Sequence, residues 1–257
     1  MRHRIQLPSS EHRNVSQSEA FFYLLQDDGK REKISFHDYS RIYETPGLYE
    51  QIFYDRLRCT SPTVVTDLLY SAHQTIGHTF SELRVLDFGA GNGLMGEALK
   101  NYSVSRIVGA DIEANAMDAA YRDRPGIYDD YFIEDFTNLP KEKMTELKEW
   151  NFDCLTTVAA LGFGDIPVKA FHQAMNLISE TGWIAFNIKE TFLRPDDKSG
   201  FSQYIRKLIL SEYWQGYHIQ RYKHRLSMEG VPLYYYAIVA RKRSHIPDDY
   251  FEAFKKD

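Results

Sequence analysis

The segment Asp87-Phe88-Gly89-Ala90-Gly91-Asn92-Gly93 sets an acid and three alternating glycines between an apolar run, Arg84 to Phe88, and a stretch of helical spacing, Leu94 to Lys100. Glycine has no Cβ, so backbone at such a loop can come close to a ligand, and in an open α/β sheet ligands bind outside the carboxyl ends of the strands. Asp87 would face a positive group there, such as an ammonium. The plainer alternative, a tight turn capped by Asp87, fits a single glycine pair better than three alternating glycines after a buried strand.

Asp111 closes the next apolar run, Ile107 to Ala110, and stands 20 residues beyond Gly91. That spacing fits one helix and one strand and brings Asp111 beside the glycine loop, where a carboxylate can accept both hydroxyls of a ribose. Its alternative role is to cap the helix that follows. Asp135-Phe136 comes 24 residues later at the end of a third run. An Asp there can accept from an adenine amino group and a Phe can pack on the ring, although a strand-end acid also often just faces water.

Positioning these groups requires strands and helices in alternation, and the chain supplies them. Strands are expected at Arg84–Phe88, Arg106–Ala110, Tyr131–Ile133, Phe152–Val158 and Trp183–Ile188. Helices are expected at Leu94–Lys100, Ala114–Arg122, Lys141–Trp150, from an Asp165 N-cap and Pro167 to about Ile178, and at Phe201–Trp214. His218–Leu226 and Leu233–Ala240, split by Gly230 and Pro232, read as an antiparallel hairpin on one sheet edge.

Residues 1–18 read as a disordered polar tail; Arg2, Arg4 and Arg13 also leave room for a transit peptide. Residues 19–80 read as a helical cap beside the cleft, carrying Tyr39, Tyr43, Tyr49, Tyr54 and Tyr70. The functional domain is expected over 81–243, with Arg241, Lys242 and Arg243 as a solvated end and 244–257 as a C-terminal tail.

Together, the glycine loop and the acids after the second and third strands resemble class I S-adenosylmethionine (SAM)-dependent methyltransferases. The resemblance implies an α/β, Rossmann-like seven-stranded sheet with helices on both faces and a terminal antiparallel hairpin. It implies SAM as cofactor. The methionine part would be held by Asp87, Gly89, Ala90, Gly91 and Gly93, and the ribose by Asp111. Ile112, Asp135 and Phe136 would hold the adenine, with Val158 and Tyr49 completing the site. More narrowly, Tyr43-Glu44, Tyr49-Glu50, Ser61-Pro62 and Ala159-Ala160-Leu161-Gly162 resemble the Williams-Beuren-region type of small methyltransferase.

Gly91, Gly93 and Gly96 also satisfy G-x-G-x-x-G, so a nicotinamide-dependent oxidoreductase is the rival enzyme. A protein of this fold that binds without turnover is the rival outside catalysis. No catalytic base is evident: His172, His218 and His224 read as structural histidines, and no nucleophile elbow, paired-Cys metal site or P-loop occurs.

Composition narrows the partners. Over 257 residues the net charge is −5 and the pI about 6.0, which gives no basic field for a phosphate backbone and argues against nucleic acid. Cys59 and Cys154 are too few and too far apart for a disulfide frame or structural zinc. No apolar run spans a membrane. A cytoplasmic enzyme acting on a small molecule is the expectation, with a protein substrate left open.

Overall fold

The computed structural model describes residues 2–8, 19–162 and 165–254. The chain opens on a small antiparallel sheet, β1 (Arg4–Gln6), β2 (Phe21–Leu25) and β3 (Arg31–Ser35), with β2 in the middle. This corrects the all-helical expectation for residues 19–80 and the tail expectation for residues 4–6; 9–18 lie outside the described residues. The continuous apolar run Phe21-Phe22-Tyr23-Leu24-Leu25 is compatible with either state, and Gly29 at φ 83° turns it back on itself. Helices follow: α1 (Tyr39–Glu44), α2 (Leu48–Glu50) running into a π-helical stretch Gln51–Arg56, and α3 (Ser61–Gln74). Phe22, Leu24 and Ile34 of the small sheet, with Phe36 just after it, bury against Ile42, Leu48, Ile52 and Phe53 of these helices, giving the cap its own core.

The main domain alternates β4 (Arg84–Phe88), α4 (Leu94–Lys100), β5 (Arg106–Asp111), α5 (Ala114–Asp123), β6 (Asp130–Ile133), α6 (Lys141–Glu149), β7 (Cys154–Thr157), α7 (Val168–Asn176) and β8 (Trp183–Lys189). Then come α8 (Gly200–Ile209), β9 (Trp214–Leu226), β10 (Pro232–Lys242) and a short α9 (Asp249–Glu252). The seven-stranded sheet has the order β6-β5-β4-β7-β8-β10-β9, parallel from β6 to β8 and antiparallel through β10 and β9. Successive strand side chains point to opposite faces. Leu86, Phe88, Val108 and Ala110 accordingly join the layer of α7 and α8, while Val85 and Ile107 join that of α3, α4 and α5.

Three expected boundaries move. Asp165 is not the cap of α7, which begins at Val168 after Pro167. The helix expected to reach Trp214 ends at Ile209, and Trp214 opens β9. The expected solvated end is strand and core: Lys242 is buried, and its Nζ donates to the carbonyls of Met175 (3.0 Å) and Ile178 (2.7 Å) at the end of α7. Ile246, Phe251 and Phe254 then bury against the α7–α8 layer. The basic character of 241–243 hid this, because a lysine stem can bury while its ammonium finds carbonyls. No helix among the described residues is long and apolar enough to cross a membrane.

Candidate functional site

The β4–α4 loop forms the floor of a cleft of about 240 Å³ at the carboxyl ends of β4, β5, β6 and β7. Gly89, Gly91 and Gly93 all have positive φ (74°, 52° and 91°), which only glycine adopts without strain. A side chain at Gly91 would run into the Tyr43 hydroxyl of the cap, and one at Gly89 would lie 2.8 Å from the Ala160 side chain. Tyr131 Oη donates to the Gly91 carbonyl (2.9 Å) and fixes the loop from below.

Gly89, Ala90, Gly91, Asp111, Ile112, Asp135, Phe136, Val158 and Tyr49 all line this one cleft. Asp111 accepts from the N–H groups of Gly91 (2.9 Å) and Glu113 (3.1 Å), one on each oxygen. A carboxylate has about four acceptor sites, so capacity remains for a diol. Burial pushes this carboxyl up, and the two N–H donors oppose the shift. Ile112 is 63% exposed, an apolar face at the mouth on which a purine ring could lie. Asp135 is held by Thr137, whose hydrogen bonds lower its carboxyl. Phe136 packs against Phe88, ring centroids 4.6 Å apart.

Asp87 and Gly93 stand apart from the cleft wall. Asp87 is 1% exposed and lies behind the loop, accepting from Tyr128 Oη (2.7 Å) and Thr156 Oγ1 (2.8 Å). Here its two oxygens support the loop from behind through these hydroxyls. Burial raises its carboxyl to about 6, against the two hydroxyl donors. A side chain at Gly96 would press on the Tyr128 ring (3.0 Å), and one at Gly93 on Ile127 (3.2 Å) and Arg124 (3.3 Å).

The cap closes the other side with His37, Tyr39, Tyr43, Tyr49 and Tyr54. Tyr43 and Tyr49 pack along it at a tilt of 30°, ring centroids 5.2 Å apart. Glu50 Oε1 accepts from both Asn92 Nδ2 (2.7 Å) and Arg124 (2.8 Å), latching cap to loop. His37 Nδ1 meets Asp165 Oδ1 at 3.3 Å on the wall, an imidazole–carboxylate pair able to move a proton. The sequence reading named neither as a site residue, because 128 positions separate them.

The loop after β7 is also held. Ala159 sits at φ 60°, and its N–H donates to Asn187 Oδ1 (2.7 Å). Asn187 Nδ2 donates to Ser61 Oγ (3.1 Å) and Tyr222 Oη (2.7 Å), and Ser61 Oγ lies 2.6 Å from His224 Nδ1. Burial pushes His224 well below the usual imidazole range, so it stays neutral. His172 is a satisfied core histidine, with Nδ1 2.8 Å from Tyr204 Oη.

Residues 86–186, which hold the loop, Asp111, Asp135 and Val158, match the family model described as a methyltransferase domain. They form a class I SAM-dependent methyltransferase domain. Its cofactor is S-adenosylmethionine, and the cleft described above fits it: a glycine floor, a carboxylate with spare acceptor capacity, and an exposed apolar face. A solved structure of a candidate RNA methyltransferase from Pyrococcus horikoshii shares the fold, at 14% identity and a TM-score of 0.50, covering 72% of this chain and 84% of that one. Also similar is the magnesium protoporphyrin IX methyltransferase of Synechocystis PCC 6803 with bound SAM, at 14% identity and 0.49, covering 71% and 79%. The ribosomal protein L11 methylase of Lactobacillus delbrueckii subsp. bulgaricus follows at 17% and 0.47, covering 70% and 79%. No curated protein sequence matches the chain. The matched segment forms one side of the cleft, and the cap forms the other.

Proposed function

We propose that this protein transfers a methyl group from SAM to a small, partly apolar acceptor held between the methyltransferase domain and the aromatic cap. The observation that carries the reading is a single cleft whose floor is the glycine loop with Asp111 and whose roof is Tyr39, Tyr43, Tyr49 and Tyr54. Bound there, the cofactor supplies a methyl group on a positively charged sulfur, displaced by an acceptor electron pair to leave a neutral thioether.

The chain's own task is then alignment and exclusion of water. Gly89, Ala90 and Gly91 would carry the methionine part, Asp111 the ribose, and Ile112, Asp135 and Phe136 the adenine. The tyrosines keep the transfer zone apolar. A base is needed only where the acceptor must first lose a proton, and His37 with Asp165 is the pair on the wall with that chemistry.

Titration calorimetry tests the reading. SAM should bind with a Kd on the order of micromolar while NADH gives no heat. Asp111→Ala should weaken SAM by about 1–3 kcal/mol, since an acceptor is lost, while a thermal melt shows the chain still cooperatively folded. Binding of NADH in place of SAM would move the protein to the nicotinamide-dependent oxidoreductases. SAM binding without label transfer to any metabolite or protein would make it a binding protein of this fold.

A further inference from the structure

A second, smaller chamber of about 40 Å³ lies behind the cleft. It shares His37, Tyr39, Tyr49, Ala159 and Asp165 with the cleft, which form a neck between the two. Beyond the neck its lining is aromatic, Phe36, Phe53 and Tyr235, and it carries one fixed positive charge, Arg225.

Arg225 reaches the chamber through an irregularity in the hairpin. Leu233 pairs with Arg225 but Tyr234 pairs with Lys223, so His224 is an extra residue on β9. A bulge of this kind re-aims side chains that would otherwise alternate between faces. Both His224 and Arg225 consequently line the chamber.

Arg225 is buried, 6% exposed as a residue. It donates to the Leu226 carbonyl (2.9 Å) and lies 5.8 Å and 5.9 Å from the ring centres of Phe36 and Phe53. No carboxylate among the described residues pairs with it. Of the chamber's other ionisable groups, burial keeps His224 uncharged and pushes the Cys59 thiol up, and its one carboxylate, Asp165, lies against His37 at the neck and forms no ion pair with Arg225. Lys189, pushed down by burial and then by Arg225, adds no negative charge. A buried cation is costly unless an anion meets it, and a planar guanidinium fork matches a carboxylate with two parallel hydrogen bonds.

We infer that Arg225 is the recognition group for a carboxylate on the acceptor, so that the substrate is a small organic acid with its acid group in the chamber and its body passing the neck toward the cleft. The inference rests on the methyl-transfer reading for the word acceptor. The chamber's volume admits one head group, not a whole substrate.

Ligand-observed NMR titrations on the full chain loaded with S-adenosylhomocysteine test it, using benzoate and phenylacetate against the neutral benzamide and phenylacetamide. The acids should bind about tenfold tighter than the amides, the equivalent of one charge-assisted hydrogen bond. Arg225→Gln should reduce that ratio to near unity, and Arg225→Lys should keep part of it, with S-adenosylhomocysteine affinity unchanged in both. Acids no tighter than amides, including no binding of either, overturn the inference, as does a preference that survives Arg225→Gln. The comparison on the unsubstituted chain needs no variant, so a misfolded Arg225→Gln leaves it decisive. Failure of S-adenosylhomocysteine to bind would instead strike the methyl-transfer reading, and the acid–amide comparison can be repeated without that ligand.

Discussion

Asp87 keeps its charge out of solvent and out of the cleft, and its titration is therefore visible in stability. Its carboxyl rises from 3.8 to about 6 on folding. The folded chain holds this proton at pH values where the unfolded chain has lost it, so its stabilising contribution is full below about pH 4 and fades as pH rises through 6. Asp87→Asn cannot ionise, and both hydroxyls that donate to Asp87 can rotate to suit an amide. Melting temperatures from pH 4 to 7 should fall less steeply for the variant than for the parent, and parallel profiles would mean that Asp87 is ionised throughout. The glycine loop, Asp111 and Asp135 were legible in the sequence because glycine and strand-end acids are local signals. The inward turn of Asp87 was not, since it depends on Tyr128 and Thr156, which lie 41 and 69 residues away. Arg225 was equally hidden: its setting arises from a bulge on β9 and from the cap aromatics Phe36 and Phe53, far earlier in the chain.

Among the elements, the strands of the main sheet were readable because parallel strands covered on both faces appear as short apolar runs broken by turn residues. The small N-terminal sheet was not, since five consecutive apolar residues carry no period. The C-terminal segment was misjudged because its anchors, Ile246, Phe251 and Phe254, are spaced among charges. What joins elements around the cleft is the chain of hydrogen bonds from Ala159 through Asn187 to Ser61, Tyr222 and His224, which ties the β7–α7 loop to β8, α3 and β9. Asn187→Ala removes an acceptor from a strained N–H and leaves two buried hydroxyls short of a donor. Denaturant unfolding should register a loss of about 2–3 kcal/mol. A change below about 0.5 kcal/mol would show that solvent replaces these contacts and that the loop is held by packing alone.

The whole molecule has three cores, one in the cap and one on each face of the main sheet. Contact between the cap and the main domain is made by Glu50 with Asn92 and Arg124, by Arg122 with the Tyr43 carbonyl, and by Tyr43 on Gly91. Hydrogen exchange should therefore show residues 35–60 gaining protection when S-adenosylhomocysteine binds, and equal exchange in both states would make the cap a static support. The seat of the Tyr43 hydroxyl on Gly91 has a thermodynamic corollary. Because one aromatic residue of the roof rests on the glycine loop, the proposed cofactor and acceptor would not bind independently. Whatever factor the cofactor adds to the acceptor's affinity by settling that ring, the acceptor returns to the cofactor in equal measure. A substitution at Tyr43 would then weaken neither site so much as the reciprocity between them.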